Sequence, residues 1–103
     1  MKISLAPAFI PEIETDDASI EDLRKVAELL RATSELLNAA TQSMPPSVIH
    51  YMDSWQALTM KAFFDLAKAG AEKVPADERE ARNRHWLIAS ARAEDDEFLE
   101  GVE

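Results

Sequence analysis

The chain contains no cysteine, which excludes disulfides, thiolate metal sites and thiol nucleophiles and is compatible with a reducing compartment. It contains two glycines, too few for a loop that cradles phosphate with backbone N–H groups. No apolar run is long enough to cross a bilayer. The one stretch that imitates a secretory leader, at residues 1–10, is interrupted by Pro7 and runs into Pro11 and then acids, whereas such a leader needs about 7 to 15 unbroken apolar residues. A cytoplasmic protein without membrane contact is therefore expected. Bases are missing from two segments, and this is the most informative absence. Residues 12–22 hold six acids and residues 94–103 another six, with no lysine or arginine in either. Those are 12 of the 20 acids behind a net charge of -9, so the remainder carries 11 bases against 8 acids and is close to balanced. Bare nucleic acid is an unfavourable partner for such a surface.

What is present points to one small all-α domain. The 103 residues, 47% hydrophobic and 30% charged, suffice for a single modest core. The stretch from Ser43 to Lys73 carries most of the large apolar side chains. Val48, Met52, Trp55, Thr59, Ala62, Leu66 and Ala69 recur at alternating spacings of four and three, the seam of a long central helix, while Ile49, Tyr51, Leu58, Met60, Phe63 and Phe64 fall outside that seam. Such a helix needs neighbours around most of its circumference. The helix before it is expected to begin at Ser19, whose hydroxyl can cap the free N–H groups with Asp22 three residues on. It presents Leu23, Val26, Leu30, Thr33, Leu37 and Ala40 to the core, flanked by Leu29 and Leu36. Its other face offers the i,i+4 pairs Glu21–Lys25, Arg24–Glu28 and Arg31–Glu35. Pro45 and Pro46 stop it and suit the first turn of the next helix, which ends near Gly70, or near Lys73 if the glycine is tolerated. A third helix starts around Asp77, and four acids at 94–97 predict fraying from about Ala93.

The expected architecture is an up-down-up three-helix bundle with helices at about 19–43, 46–72 and 77–93, of similar length. An extended arm over residues 1–18 precedes it and an acidic tail over 94–103 follows. In this arrangement the acidic tail lies at the far end of the bundle, beside His50, while Lys68, Lys73 and Arg79 sit near the acids of 12–22. Trp55 and Leu30, each on a seam, are expected in the core.

Catalytic signatures are missing. His50 and Asp53 are i,i+3 on a helix, but two ligands make no metal site and neither histidine follows a glutamate at the spacing of a di-iron bundle. His85 has no nucleophile placed with it, and Ser43, Ser47, Ser54 and Ser90 stand in no nucleophile motif. No enzyme activity, cofactor or metal is expected. Arg79, Arg82, Arg84, Arg92 and Lys73 with Trp86 suggest a basic recognition helix, yet Asp77, Glu78 and Glu80 interleave with them, so DNA binding of helix-turn-helix type ranks as a lesser alternative.

Interaction remains. The surplus apolar circumference of the central helix and the apolar arm predict a homodimer, with Ile3, Leu5, Phe9, Ile10, Tyr51 and Phe64 at the contact. The acidic end, Asp95, Asp96, Glu97 and Glu100 with Trp86 and Phe98, is the expected site for a larger protein with a basic surface, itself one that can bind nucleic acid. In composition alone the chain resembles the small acidic helical modulators of phages and mobile elements, which implies an inhibitor or adaptor. The alternative is an assembly or secretion chaperone holding a client helix in an apolar groove.

Overall fold

The computed structural model describes residues 15–99. The arm residues Ile3, Leu5, Phe9 and Ile10, and Glu100 in the tail, lie outside them. Within them the fold is an all-α bundle of α1 (Ile20–Thr41), α2 (Pro46–Glu72) and α3 (Glu78–Glu94). Local chemistry sets the boundaries. Ser19 is extended and its Oγ accepts a hydrogen bond from Asp22 N at 3.0 Å, so α1 starts where the hydroxyl satisfies a free donor. Pro46 opens α2, whose first turn has neither a side-chain cap nor an acid. Asp77 caps α3 by accepting from Glu80 N at 2.8 Å, while Glu80 reaches back to accept from Ala76 N at 3.1 Å.

Direction follows from the cross-helix pairs. Arg79 meets Glu21 and Arg31 meets Glu94, so α3 runs parallel to α1, and α2 returns between them in sequence. The core is Ile20, Leu23 and Ala27 of α1, Phe63, Leu66 and Ala67 of α2, and Leu87 and Ala91 of α3. Gly70 does not end α2. It is buried inside the helix, where an added Cβ would stand 2.5 Å from Leu87 Cδ1, so the missing side chain is what lets α3 approach this closely. All three expected i,i+4 pairs form, at 3.8, 2.9 and 3.7 Å.

Two expectations need correction. The helices are not of similar length: 22, 27 and 17 residues make α2 about 40 Å long and α3 about 25 Å. As a result α3 stops halfway up the α1–α2 pair. Its last residue, Glu94, pairs with Arg31 at 3.3 Å, and the following turn folds Phe98 onto Phe64, with centroids 5.7 Å apart. The acids after α3 therefore sit at mid-height and not beside His50. Helix α3 ends at Glu94, one residue from the expected end, and Phe64 and Arg92, whose Nε donates to Phe98 O at 3.2 Å, hold the turn that follows.

The faces also differ from the expected seams. Phe63, assigned outside the seam of α2, is fully buried, and the buried row is Thr59, Phe63, Leu66, Ala67, Gly70 and Ala71. On α1 the buried row is Ile20, Leu23, Ala27 and Ser34, while Thr33, Leu29 and Leu36 face solvent. Trp55 and Leu30 are half-buried at the margin and not in the core. Packing of Leu87 at Gly70 sets which side of α2 faces inward, and because α3 ends near Arg31 no third helix covers Trp55 in the upper half.

Candidate functional site

The bases are used inside the fold. Lys25 and Arg79 share Glu21, Arg24 holds Glu28, Arg31 lies between Glu35 and Glu94, Lys61 meets Asp65, and Arg82 faces Glu78. Lys73 Nζ donates to Asp16 O at 3.1 Å, Arg84 Nε to Ala71 O at 2.9 Å, and Arg92 to Phe98 O. Every base on which a helix-turn-helix reading would depend is thus already engaged. Arg24 also lies over the Trp86 ring, 4.8 Å from its centroid, and donates to Asn83 Oδ1 at 3.0 Å. An open cleft of about 410 Å³ lies along this α1–α3 seam, and its bases Arg24, Lys25, Arg79 and Arg82 each have a carboxylate within 4 Å.

Acids are left over. Asp95, Asp96 and Glu97 are exposed and consecutive on the turn after α3, and among the described residues none forms an ion pair. Asp95 Oδ1 accepts from Glu97 N at 3.1 Å, which fixes the turn and leaves its other oxygen outward. The fold thus brings together three of the expected partner-binding residues and separates two. Phe98 turns inward onto Phe64, and Trp86 sits two turns back along α3 beneath Arg24. Phe64 is half-buried, with ring contacts to Phe63 and Phe98.

A second surface comes from the upper half of the α1–α2 pair. Glu21, Arg24 and Arg31 mark the side of α1 that meets α3. Leu29, Thr33, Leu36 and Ala40 come round roughly 140 to 180° from Arg31 at 3.6 residues per turn, on the side turned away. On α2 Phe64, which meets Phe98 of the turn after α3, marks the side toward that turn, and Tyr51, Trp55, Leu58 and Ala62 come round roughly 120 to 180° from it. These two rows make one apolar face. Leu29 and Leu36 are 66% and 71% exposed, and Tyr51 and Trp55, stacked edge to face at 6.4 Å, are half-buried. Sequence periodicity assigned Leu29, Leu36, Trp55 and Ala62 of this face to the core stripes, while Tyr51 was expected at a contact between copies. A signal was available: over the 27 residues from Ala32 to Leu58 only Glu35 and Asp53 are charged, against 30% for the whole chain.

His50, Asp53 and His85 are exposed, and among the described residues no three ligating side chains converge. Among them too, no helix is long and apolar enough to cross a membrane, and no buried side-chain nitrogen or oxygen lacks a hydrogen-bond partner. No family model, curated protein or solved structure matches the chain. Its role has to be read from its own surface.

Proposed function

We propose that the chain is a non-catalytic protein-binding protein, an acidic inhibitor or adaptor that docks on a basic surface of a larger protein through the ledge Asp95–Asp96–Glu97. The observation that carries this reading is the asymmetry of charge use: nearly every described base is engaged internally, while these three consecutive carboxylates are presented outward on a turn that Phe98 and Arg92 hold in place. A pre-ordered acidic turn loses little conformational freedom on binding, and its field raises the rate of encounter with a basic patch.

The test is capture of binding proteins from native lysate on the full-length chain, followed by association kinetics on the captured protein. With Asp95→Asn, Asp96→Asn and Glu97→Gln combined, the association rate should fall about tenfold or more at low salt. The wild-type rate should drop steeply as salt shortens the Debye length below about 8 Å. Rates that ignore both salt and the triple substitution would refute docking through the ledge. A captured nucleic-acid-binding protein whose binding is competed by DNA would place the ledge in a nucleic-acid groove.

A further inference from the structure

We propose that the apolar face of the α1–α2 pair turned away from α3, centred on Leu29, Leu36, Tyr51 and Trp55, is the contact between two copies of this chain, joined about a twofold axis. Three features select a second copy. The face is large: from Val26 to Ala40 it runs about 20 Å, and two adjacent helices make it about 20 Å wide, on the order of 400 Å² in projection. A monomer's largest apolar patch is of that order and is often functional. The middle of the face also lacks charge, since the segment from Ala32 to Leu58 holds no lysine or arginine and its two acids, Glu35 and Asp53, are off the two rows, while Lys25 and Asp65 stand at its margins. A partner chosen by charge would find nothing here to pair with, whereas an equally uncharged helical layer matches it.

The chain's own face is such a layer, and twofold pairing would bury each copy's protruding Leu29 and Leu36 against the same face of the other copy. Finally, the docking is compatible with a net charge of -9 per copy. The ledge at 95–97 belongs to the turn after α3, and α3 covers the opposite side of the α1–α2 layer, so pairing brings the neutral surfaces together and keeps the ledges apart. Two such faces give about 800 Å² in total, below the roughly 1,200 Å² at which stable interfaces begin, so the dimer is weak and reversible.

The salt response separates this contact from the ledge. An apolar contact between two like-charged chains is strengthened or unchanged by salt, while docking of the ledge on a basic surface is weakened. Sedimentation equilibrium of the full chain from about 1 to 200 µM, at low and high salt, should show the mass rising from 11.5 kDa toward twice that value with concentration, and no less so at high salt. Leu36→Lys and Leu29→Lys alter side chains that are mostly in solvent, so each should keep the wild-type melting curve while raising the dimer dissociation constant at least about tenfold. Ala89→Lys, exposed on α3, should leave it unchanged. A monomer at every concentration would overturn the proposal. So would a dimer indifferent to both leucine substitutions, or one that salt dissociates.

Discussion

Gly70→Ala sets two effects of opposite sign against each other. In an exposed helix interior the change would stabilise by about 1 kcal/mol, because alanine has the higher helix propensity and leaves the unfolded chain less freedom. Gly70 is buried, and its new methyl would stand 2.5 Å from Leu87 Cδ1, with Leu23 Cδ1 and Leu87 Cγ already at 3.8 Å. Carbon atoms rest at about 3.5 to 4.0 Å, so Leu87 Cδ1 must retreat by roughly 1 Å. Cδ1 is the end of a flexible side chain, but Leu87 is fully buried within the three-helix core, so its retreat displaces packed neighbours. Overpacking of this kind costs about 1 to 3 kcal/mol, which outweighs the propensity gain and leaves a net loss of about 1 kcal/mol. For a domain of this size that lowers the melting temperature by roughly 4 to 8 °C in calorimetry or circular dichroism. The double variant with Leu87→Ala isolates the cause. Leu87→Ala alone should cost about 2 to 5 kcal/mol, and the methyl introduced by Gly70→Ala should then occupy part of the vacated space, making the double variant more stable than the sum of its parts by about 0.5 kcal/mol or more. A higher melting temperature for Gly70→Ala, or strict additivity in the cycle, would refute the close approach of α3 at this residue.

Two further outcomes test the corrected helix faces. Phe63→Ala should cost about 3 to 5 kcal/mol in urea denaturation, while Trp55→Ala, truncating a half-buried side chain outside the core cluster, should cost clearly less; the reverse order would restore the seam read from the sequence. Ser19→Ala should cost about 1 kcal/mol by removing the cap on α1, and Ser19→Asp should retain most of the stability; equal losses would show that the hydroxyl's hydrogen bond to Asp22 is not what matters there.

The helices and their ends were legible because their causes are local. A hydroxyl before Asp22, two consecutive prolines and an aspartate ahead of an acidic first turn act on backbone groups within three or four residues, and sequence spacing records those directly. Which apolar row faces inward was much less legible. Around α2 nearly every side is apolar, so periodicity alone could not choose between the Trp55–Ala62 row and the Phe63–Gly70 row. The choice was made by α3, which packs Leu87 into the gap at Gly70 and thereby turns Phe63 inward. The ledge was legible as a cluster of acids, but its position was not. That position depends on where α3 ends against Arg31 and on Phe98 finding Phe64, two contacts more than 30 residues apart in sequence.

One structural fact links the two proposed surfaces: α3 covers one side of the α1–α2 layer and only its lower half. Among the described residues nothing covers the opposite side, where Leu29 and Leu36 stand in solvent. Ending at half height brings the chain's acids out on a shelf beside Arg31, at the middle of the molecule. If α3 were as long as α2, Phe98 would lie beyond Phe64 and the acids would fall at the tip near His50. Since the two surfaces lie on opposite sides of one layer, occupying the first does not block the second. A pair of copies joined through the apolar face would present two ledges facing away from each other, each free to engage a basic surface. On a target with two such surfaces at matching separation, the second engagement would be intramolecular and avidity would exceed the affinity of either ledge, without any added contact. Leu36→Lys would then weaken binding to that target while leaving the ledge intact. The triple neutralisation at 95–97 would slow association about tenfold or more in monomer and dimer alike.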